Sequence, residues 1–227
     1  MKPQRNRILS WRPWFAILAV AALIVAGVLL ALRWNANLAS KEIKPSVASR
    51  SVCGTHCGTE RWAVKMLSDE QVACVDFTPK QTTVSWLVSQ QTPERLPEQS
   101  RSGTVECQVW ELTGQLMGFK VEDDGDFHVV VADLDHPDLT MIVEIPDPSC
   151  SGACASARKP DIERARESFI QAFGAPPQKY HRVSGTVTVT VSGVGFFDFK
   201  HRQTGLATNG VELHPVMSFK VSGPSRP

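Results

Sequence analysis

Two histidines and two glutamates, His128, Glu144, Glu212 and His214, stand inside short runs of valine, isoleucine and leucine. Two imidazoles with one or two carboxylates form a ligand set suited to zinc or a similar divalent ion. An open position on such an ion activates water for hydrolysis. Asp126, in the stretch "EDDGDFH", offers a further oxygen donor. The competing reading needs no cofactor: His and Glu stand on a solvated sheet face and pair across strands. Choosing between the two requires the elements that carry these residues.

Residues 104–122, "TVECQVWELTGQLMGFKVE", read as one long strand in which Gly114 and Gly118 mark a bend or bulge. "FHVVVADL" and "TMIVEIP" follow as two more strands. Residues 157–174 then change period, with Ile162, Ala165, Phe169, Ala172 and Phe173 at helical spacing, Pro160 in a first turn and Gly174 as a stop. "RVSGTVTVTVSGVGFFDF" alternates valine with serine and threonine, the mark of a half-buried strand, and "GVELHPVMSFKV" closes the series. Three strands, a helix and two strands is the order of an OB-like five-stranded barrel, with the helix between the third and fourth strands. That reading is preferred here to an open α+β sheet.

Strand parity assigns faces. Phe127, Val129 and Val131 oppose His128; Met141, Val143 and Ile145 oppose Glu144; Val211 and Leu213 oppose Glu212 and His214. If the larger apolar set fills the barrel, the four polar side chains point outward. The strands that carry them are consecutive neighbours in an OB barrel, so they are expected on one outer patch.

The acidic run Asp123–Asp126 reads first as a hairpin turn, with Gly125 supplying positive φ. A calcium loop needs a longer alternation of oxygens and a terminal glutamate. The connection from Asp198 to Val216, with Asp198, His201 and Arg202, is either an active-site loop or an ordered hairpin connection; the second is preferred. "CGTHCG" and "CSGAC" are read as disulfide cysteines rather than a metal knuckle completed by His56. The candidates are Cys53, Cys57, Cys74, Cys107, Cys150 and Cys154, and spacing does not choose among their pairings beyond suggesting Cys74 with Cys107 by elimination.

The segment from Trp14 to Leu32 is apolar without a charge, long enough as a helix to cross a bilayer. Trp11, Trp14 and Trp34 sit at its ends, where amphipathic rings favour the interface. The run is longer than a signal-peptide core, and "ANLAS" at 36–40 is a weak cleavage site, so an uncleaved anchor is expected. Lys2, Arg5, Arg7 and Arg12 precede the span more densely than basic residues follow it, which places the C-terminal part outside the cytoplasm. An even number of cysteines, 6, suits that oxidising side. A formal net charge of +1 implies no general attraction to nucleic acid.

"DGDFH…MIVEIPDPSC" together with "TGLATNGVELHPV" resembles a group of uncharacterised bacterial exported or membrane-anchored proteins with DGDxH, EIPxPxC and NGxELHPV motifs. That group implies no activity. The stretch "DGDFHVVVADLDHPDLTMIVEIPDP" is also similar in layout to the thermonuclease family, OB-fold phosphodiesterases with a DGDT turn. On that resemblance Asp126 matches a metal-binding turn aspartate and Asp147 loosely a second acid. The family's phosphate-holding arginines have no counterpart between Asp126 and Pro146, and the glutamate expected after the proline is absent.

The expected organisation is a cytoplasmic tail (1–13), a membrane helix (14–32), a stalk with a cysteine pair (33–58), an N-terminal addition (59–103), the barrel (104–221) and a disordered tail (222–227). The expected partners are the membrane, through 14–32, and an envelope ligand or protein of unknown identity. Two functions compete: a non-enzymatic binding or structural module of the cell envelope, and a metal-dependent, phosphodiesterase-like hydrolase using the His/Glu set.

Overall fold

The computed structural model describes Cys53, Gly54, Gly58 and residues 60–222. The expected tail, membrane helix and most of the stalk, together with Cys57 and the residues after 222, lie outside the described residues. Among the described residues no helix is long and apolar enough to cross a membrane.

Seven strands form one sheet: β1 (Asp76–Thr82), β2 (Gln108–Val121), β3 (Phe127–Ala132), β4 (Thr140–Ile145), β5 (His181–Arg182), β6 (Thr188–Phe197) and β7 (Val211–Val221). The order runs β1-β2-β3-β4-β7-β6, and β2 also pairs with β6, so β2, β3, β4, β7 and β6 close into a barrel of five strands. β2 makes the closure geometrically feasible. Its first half pairs antiparallel with β6 and its second half with β3. The ladder to β3 shifts register between Leu116 and Gly118, the bulge that the glycines of this strand announce. At Gly114 a Cβ would run into Val131 and the carbonyl of Ala132, so the absence of a side chain lets the bent strand approach β3. β3 and β4 are antiparallel, whereas β4 and β7 are parallel.

The interior is filled by one alternate set of residues: Phe127, Val129 and Val131 of β3, Met141, Val143 and Ile145 of β4, and Val211 and Leu213 of β7. In β6 the alternation that buries Val189 and Val191 breaks at Ser192–Gly193, where the ladder to β7 shifts. Pro215, which has no N–H to donate, occupies the same irregular stretch of β7.

Four helices complete the described chain: α1 (Trp62–Lys65), α2 (Val84–Val88), α3 (Ser151–Ala155) and α4 (Lys159–Phe173). α4 lies between the third and fourth barrel strands, as its apolar spacing predicts. It ends at Gly174, whose φ of 77° favours glycine. Its Ile162, Ala165 and Phe169 are buried, and Phe169 meets Phe119, Phe127 and Phe219 with ring centroids 5.1, 5.3 and 5.2 Å away. Edge-to-face and tilted pairs of this kind add to the burial of the rings themselves.

Residues 60–103 wrap the barrel. β1 adds a parallel strand beside the first half of β2, with a register shift between Asp76 and Lys80. Two disulfides link distant parts, Cys53–Cys154 and Cys74–Cys107, and Cys150 is disulfide-bonded as well. Those bonds exclude Cys53, Cys150 and Cys154 from a thiolate metal knuckle. Parity suggests a buried Cys107 beside Val105 and Val109. Instead Val105–Cys107 forms a 3-10 turn, in which alternation does not operate, and Cys107 is half-buried.

The wrap is fastened by buried charge. Arg61 is fully buried; its guanidinium donates to Glu106 Oε1 at 2.6 Å and Oε2 at 2.9 Å. It also donates to the carbonyls of Pro97, Ser100 and Phe197. Glu106 further accepts from the Phe197 amide at 2.9 Å. A second buried pair joins Arg101 to Asp69 at 2.6 Å. Removing one member of such a pair leaves the other charged and unsolvated, at about 3–5 kcal/mol. Glu106→Ala is therefore expected to lower the unfolding free energy in urea by about that amount. Arg164→Ala, which breaks a pair with Asp161 on a side chain 66% exposed, should change it by under about 0.5 kcal/mol.

Candidate functional site

The outer face of β3, β4 and β7 carries the polar set. His128 stands directly opposite Glu144 in the antiparallel ladder, and Glu212 is in register with Ile142 across the parallel one. His214 follows two residues later on the same face. Asp126 enters from the turn before β3. Parity therefore identifies the right face and the right neighbours.

That face is nonetheless not solvated, which corrects the expectation of an open patch. His128 is 0% exposed, Glu212, His214 and Asp126 each 1%, and Glu144 6%. Two segments far apart in sequence cover them. From the N-terminal side Arg61 and Lys65 stack over the Phe196 ring, at 4.7 and 5.3 Å, and Phe196 in turn contacts His214. From the other side the connection between β6 and β7 lies directly on β3. The carbonyl of Thr204 is 2.9 Å from His128 Nε2, and a Cβ on Gly205 would run into Val130. Asn209 holds this connection down by donating to the carbonyls of Leu87 and Gln90. The connection is thus an ordered cover. His201 and Arg202 lie outside the site; His201 pairs with Glu60 at 2.7 Å on the surface.

Within the enclosure the carboxylates are arranged around the histidines. His128 Nδ1 is shared between Glu122 Oε1 at 3.3 Å and Glu144 Oε1 at 3.4 Å. His214 Nδ1 is 3.1 Å from Glu144 Oε2 and its Nε2 is 3.7 Å from Asp126 Oδ2. Asp126 Oδ1 accepts from the Asp147 amide at 2.8 Å, which ties the turn to the end of β4. Asp147 itself makes a local turn with Ser149. Asp124 does the same by accepting from the Asp126 amide, so the hairpin reading of the acidic run is correct for it. Lys65 Nζ pairs with Asp198 Oδ2 at 2.8 Å.

Several buried polar atoms have no hydrogen-bond partner: Asp126 Oδ2, both oxygens of Glu212, Glu122 Oε1 and both ring nitrogens of His214. His214 Nδ1 thus approaches Glu144 Oε2 without a formed hydrogen bond. Such atoms ordinarily find a protein group, a water or an ion.

Charge is unevenly distributed here. Burial pushes the Asp126 carboxyl well above its ordinary value, and Asp124 and Glu144 add repulsion. Burial likewise pushes Glu212 well up, reinforced by Glu144 and Asp198. Burial opposes ionisation of Glu144 too, but the hydrogen bond from His128, His214 and the Lys65 charge hold it well below the usual range. His128 is disfavoured as a cation by burial, yet Glu144, the Thr204 carbonyl and Glu122 raise it overall. Lys65 is raised in the same way, the charges of Glu144, Asp198 and Glu212 outweighing burial.

Of the residues singled out from sequence, Asp126, His128, Glu144 and His214 come together. One ligand atom from each of Asp126, Glu144 and His214 lies within 4.8 Å of the others, and the same holds for Glu122, His128 and Glu144. Glu212 belongs to neither set. Lys65, Glu122 and the Thr204 carbonyl are the participants that sequence reading misses. Lys65 sits in a one-turn helix without a motif, and a carbonyl has no signature at all. Comparison with protein-family models and with curated proteins finds no match.

Glu212 provides a test of the enclosure by pH. An acid whose folded pKa is raised binds its proton more tightly folded than unfolded. Its contribution is thus fully present below the unfolded value, near 4.5, and is lost as pH rises through the folded one. Gln at this position cannot ionise. In chelator-treated protein, Glu212→Gln should become more stable relative to wild type between pH 5 and pH 8, by at most about 1.4 kcal/mol per pH unit for the single proton. Thermal unfolding midpoints across that range check it. A constant offset would mean that Glu212 does not titrate inside the cover.

Proposed function

We propose that the chain is a single-pass membrane protein whose OB-like domain lies outside the cytoplasm and serves as a non-enzymatic binding or structural module of the cell envelope. The observation that carries this reading is the closure of the His/carboxylate set. A hydrolytic centre needs a metal position open to water and substrate. Here His128 and His214, 0% and 1% exposed, lie beneath the Arg61–Lys65 turn and the Thr204–Gly205 backbone. Sealed donors of this kind suit a structural role.

Other features support the remaining parts of the proposal. The uncharged segment from Trp14 to Leu32, preceded by Lys2, Arg5, Arg7 and Arg12, favours an anchor with its C-terminal side exported. Cys53–Cys154 and Cys74–Cys107, with no free cysteine among the described residues, fit an oxidising compartment. The strand order, with a parallel pairing of third and fifth barrel strands and a helix between third and fourth, is that of OB-like barrels, which bind oligosaccharides, oligonucleotides or peptides on an outer face. A surface suited to such a role follows the later part of β7. Two adjoining depressions of about 360 and 310 Å³ share Asp161, Met217, Ser218 and Lys220, with Arg158 and Arg164 at their margins.

Two measurements on the full chain test the proposal. In cells it should remain in the membrane fraction after carbonate washing, and externally added protease should degrade the C-terminal domain in spheroplasts. A protected domain would place it in the cytoplasm and overturn the localisation. The detergent-purified chain loaded with Zn²⁺ or Mn²⁺ should not turn over phosphodiester, ester or peptide reporters. Turnover that disappears in His214→Gln would instead establish the hydrolase.

A further inference from the structure

We propose that Asp126, Glu144 and His214 bind one divalent transition-metal ion, zinc in type, beneath the cover of the barrel's outer face. This goes beyond the envelope-module reading and does not depend on which side of the membrane the domain occupies.

The three residues come from three different elements: the turn before β3, β4 and β7. A donor atom from each lies within 4.8 Å of the other two. The decisive feature is how the protein disposes of their remaining atoms. Asp126 Oδ1 is held by the Asp147 amide, leaving Oδ2 without a hydrogen bond and facing His214 Nε2. Glu144 Oε1 is held by His128, leaving Oε2 toward His214 Nδ1. His214 has neither ring nitrogen hydrogen-bonded although it is 1% exposed. One oxygen of each carboxylate is thus fixed by the protein, while the other converges with an uncommitted imidazole. That is the support pattern of a metal site, in which ligating groups are oriented by a surrounding shell of hydrogen bonds.

His128 fills the supporting role rather than a ligand's. Its Nε2 is committed to the Thr204 carbonyl at 2.9 Å and its Nδ1 to carboxylates, so the second set, Glu122, His128 and Glu144, has no free imidazole nitrogen. Glu212 adds two unpartnered oxygens on the same face but stands outside the 4.8 Å set.

The donor chemistry selects the ion class. Calcium and magnesium prefer all-oxygen shells, calcium taking about 6–8 donors. An imidazole with carboxylates suits zinc and its neighbours. The charge count agrees. Five acids, Glu122, Asp126, Glu144, Asp198 and Glu212, stand in or around the enclosure against Lys65 and the two histidines, and a divalent cation offsets that surplus of acidic groups.

The test uses the untagged full chain in detergent, stripped with EDTA and dialysed against Zn²⁺ or Co²⁺. About one ion per chain is expected by mass spectrometry, with visible cobalt bands of a nitrogen–oxygen site. His214→Gln and Asp126→Asn, which preserve side-chain size, should lose the ion while remaining folded by circular dichroism. His128→Asn should weaken binding by about 10–100-fold, as loss of a supporting group does. His201→Ala, on the surface, should bind as wild type. If His214→Gln or Asp126→Asn fails to fold, the remaining folded variant and the cobalt spectrum of wild type still decide. Folded wild type with no stoichiometric Zn²⁺ or Co²⁺, or undiminished binding in folded His214→Gln or Asp126→Asn, would overturn the proposal.

Discussion

Arg61 has no contact with water, and the N-terminal segment laid over the outer face of the barrel depends on the partners it finds instead. Its guanidinium reaches the carboxylate of Glu106 with two nitrogens and three backbone carbonyls besides, at Pro97, Ser100 and Phe197. One side chain thus joins the N-terminal turn, the proline-rich connection and the last residue of β6. A buried ion pair by itself is weak evidence of stability, since desolvation offsets the attraction. Here the fork is satisfied all round, and its consequence is positional. It sets Lys65, one turn later, over Phe196 and beside Asp198, in the electrostatic field of Glu144 and Glu212. Without Arg61 in place the charged enclosure has no roof on that side.

The enclosure shows how a periodic rule and a non-local contact divide the work of specifying structure. Alternation in β3, β4 and β7 was legible because both faces of each short strand are pleated and regular. His128 opposite Glu144 follows from residue types and a barrel order alone. The five strands, the helix between the third and fourth, the bend in β2 and the acidic hairpin were readable for the same reason: each is a local pattern of apolar period, glycine or turn residues. Burial of the polar face was not readable. It arises from Arg61–Lys65 and Thr204–Gly205, short segments without periodicity whose docking is decided by packing against Phe196 and Val130. Parity also failed at Cys107, where three residues of 3-10 turn replace the strand, and at Ser192–Gly193, where a bulge changes the facing set.

Burial changes what the same residues can do. On an open sheet face His128 and Glu144 would be one more solvated pair, worth little. Under cover the low dielectric strengthens every interaction among them and makes each unpaired atom costly. The protein answers unequally. Glu144 is held ionised between two histidines, whereas Asp126 and Glu212 are pushed toward their neutral forms. A cluster of near neighbours pushed in opposite directions is a balance that a proton, an ion or a change in the cover would shift.

Closing five strands into a barrel leaves no free strand edge, but adding β1 outside the closure creates one again. β1 is flanked by β2 alone, and most of its side chains face solvent. An unpaired row of amides and carbonyls is a template for another chain. Pro79 brings a residue without an amide into this strand, Lys80 places a charge beside it, and the irregular step between Asp76 and Lys80 breaks the row's regularity. Each of these features disfavours lateral growth of the sheet along that edge.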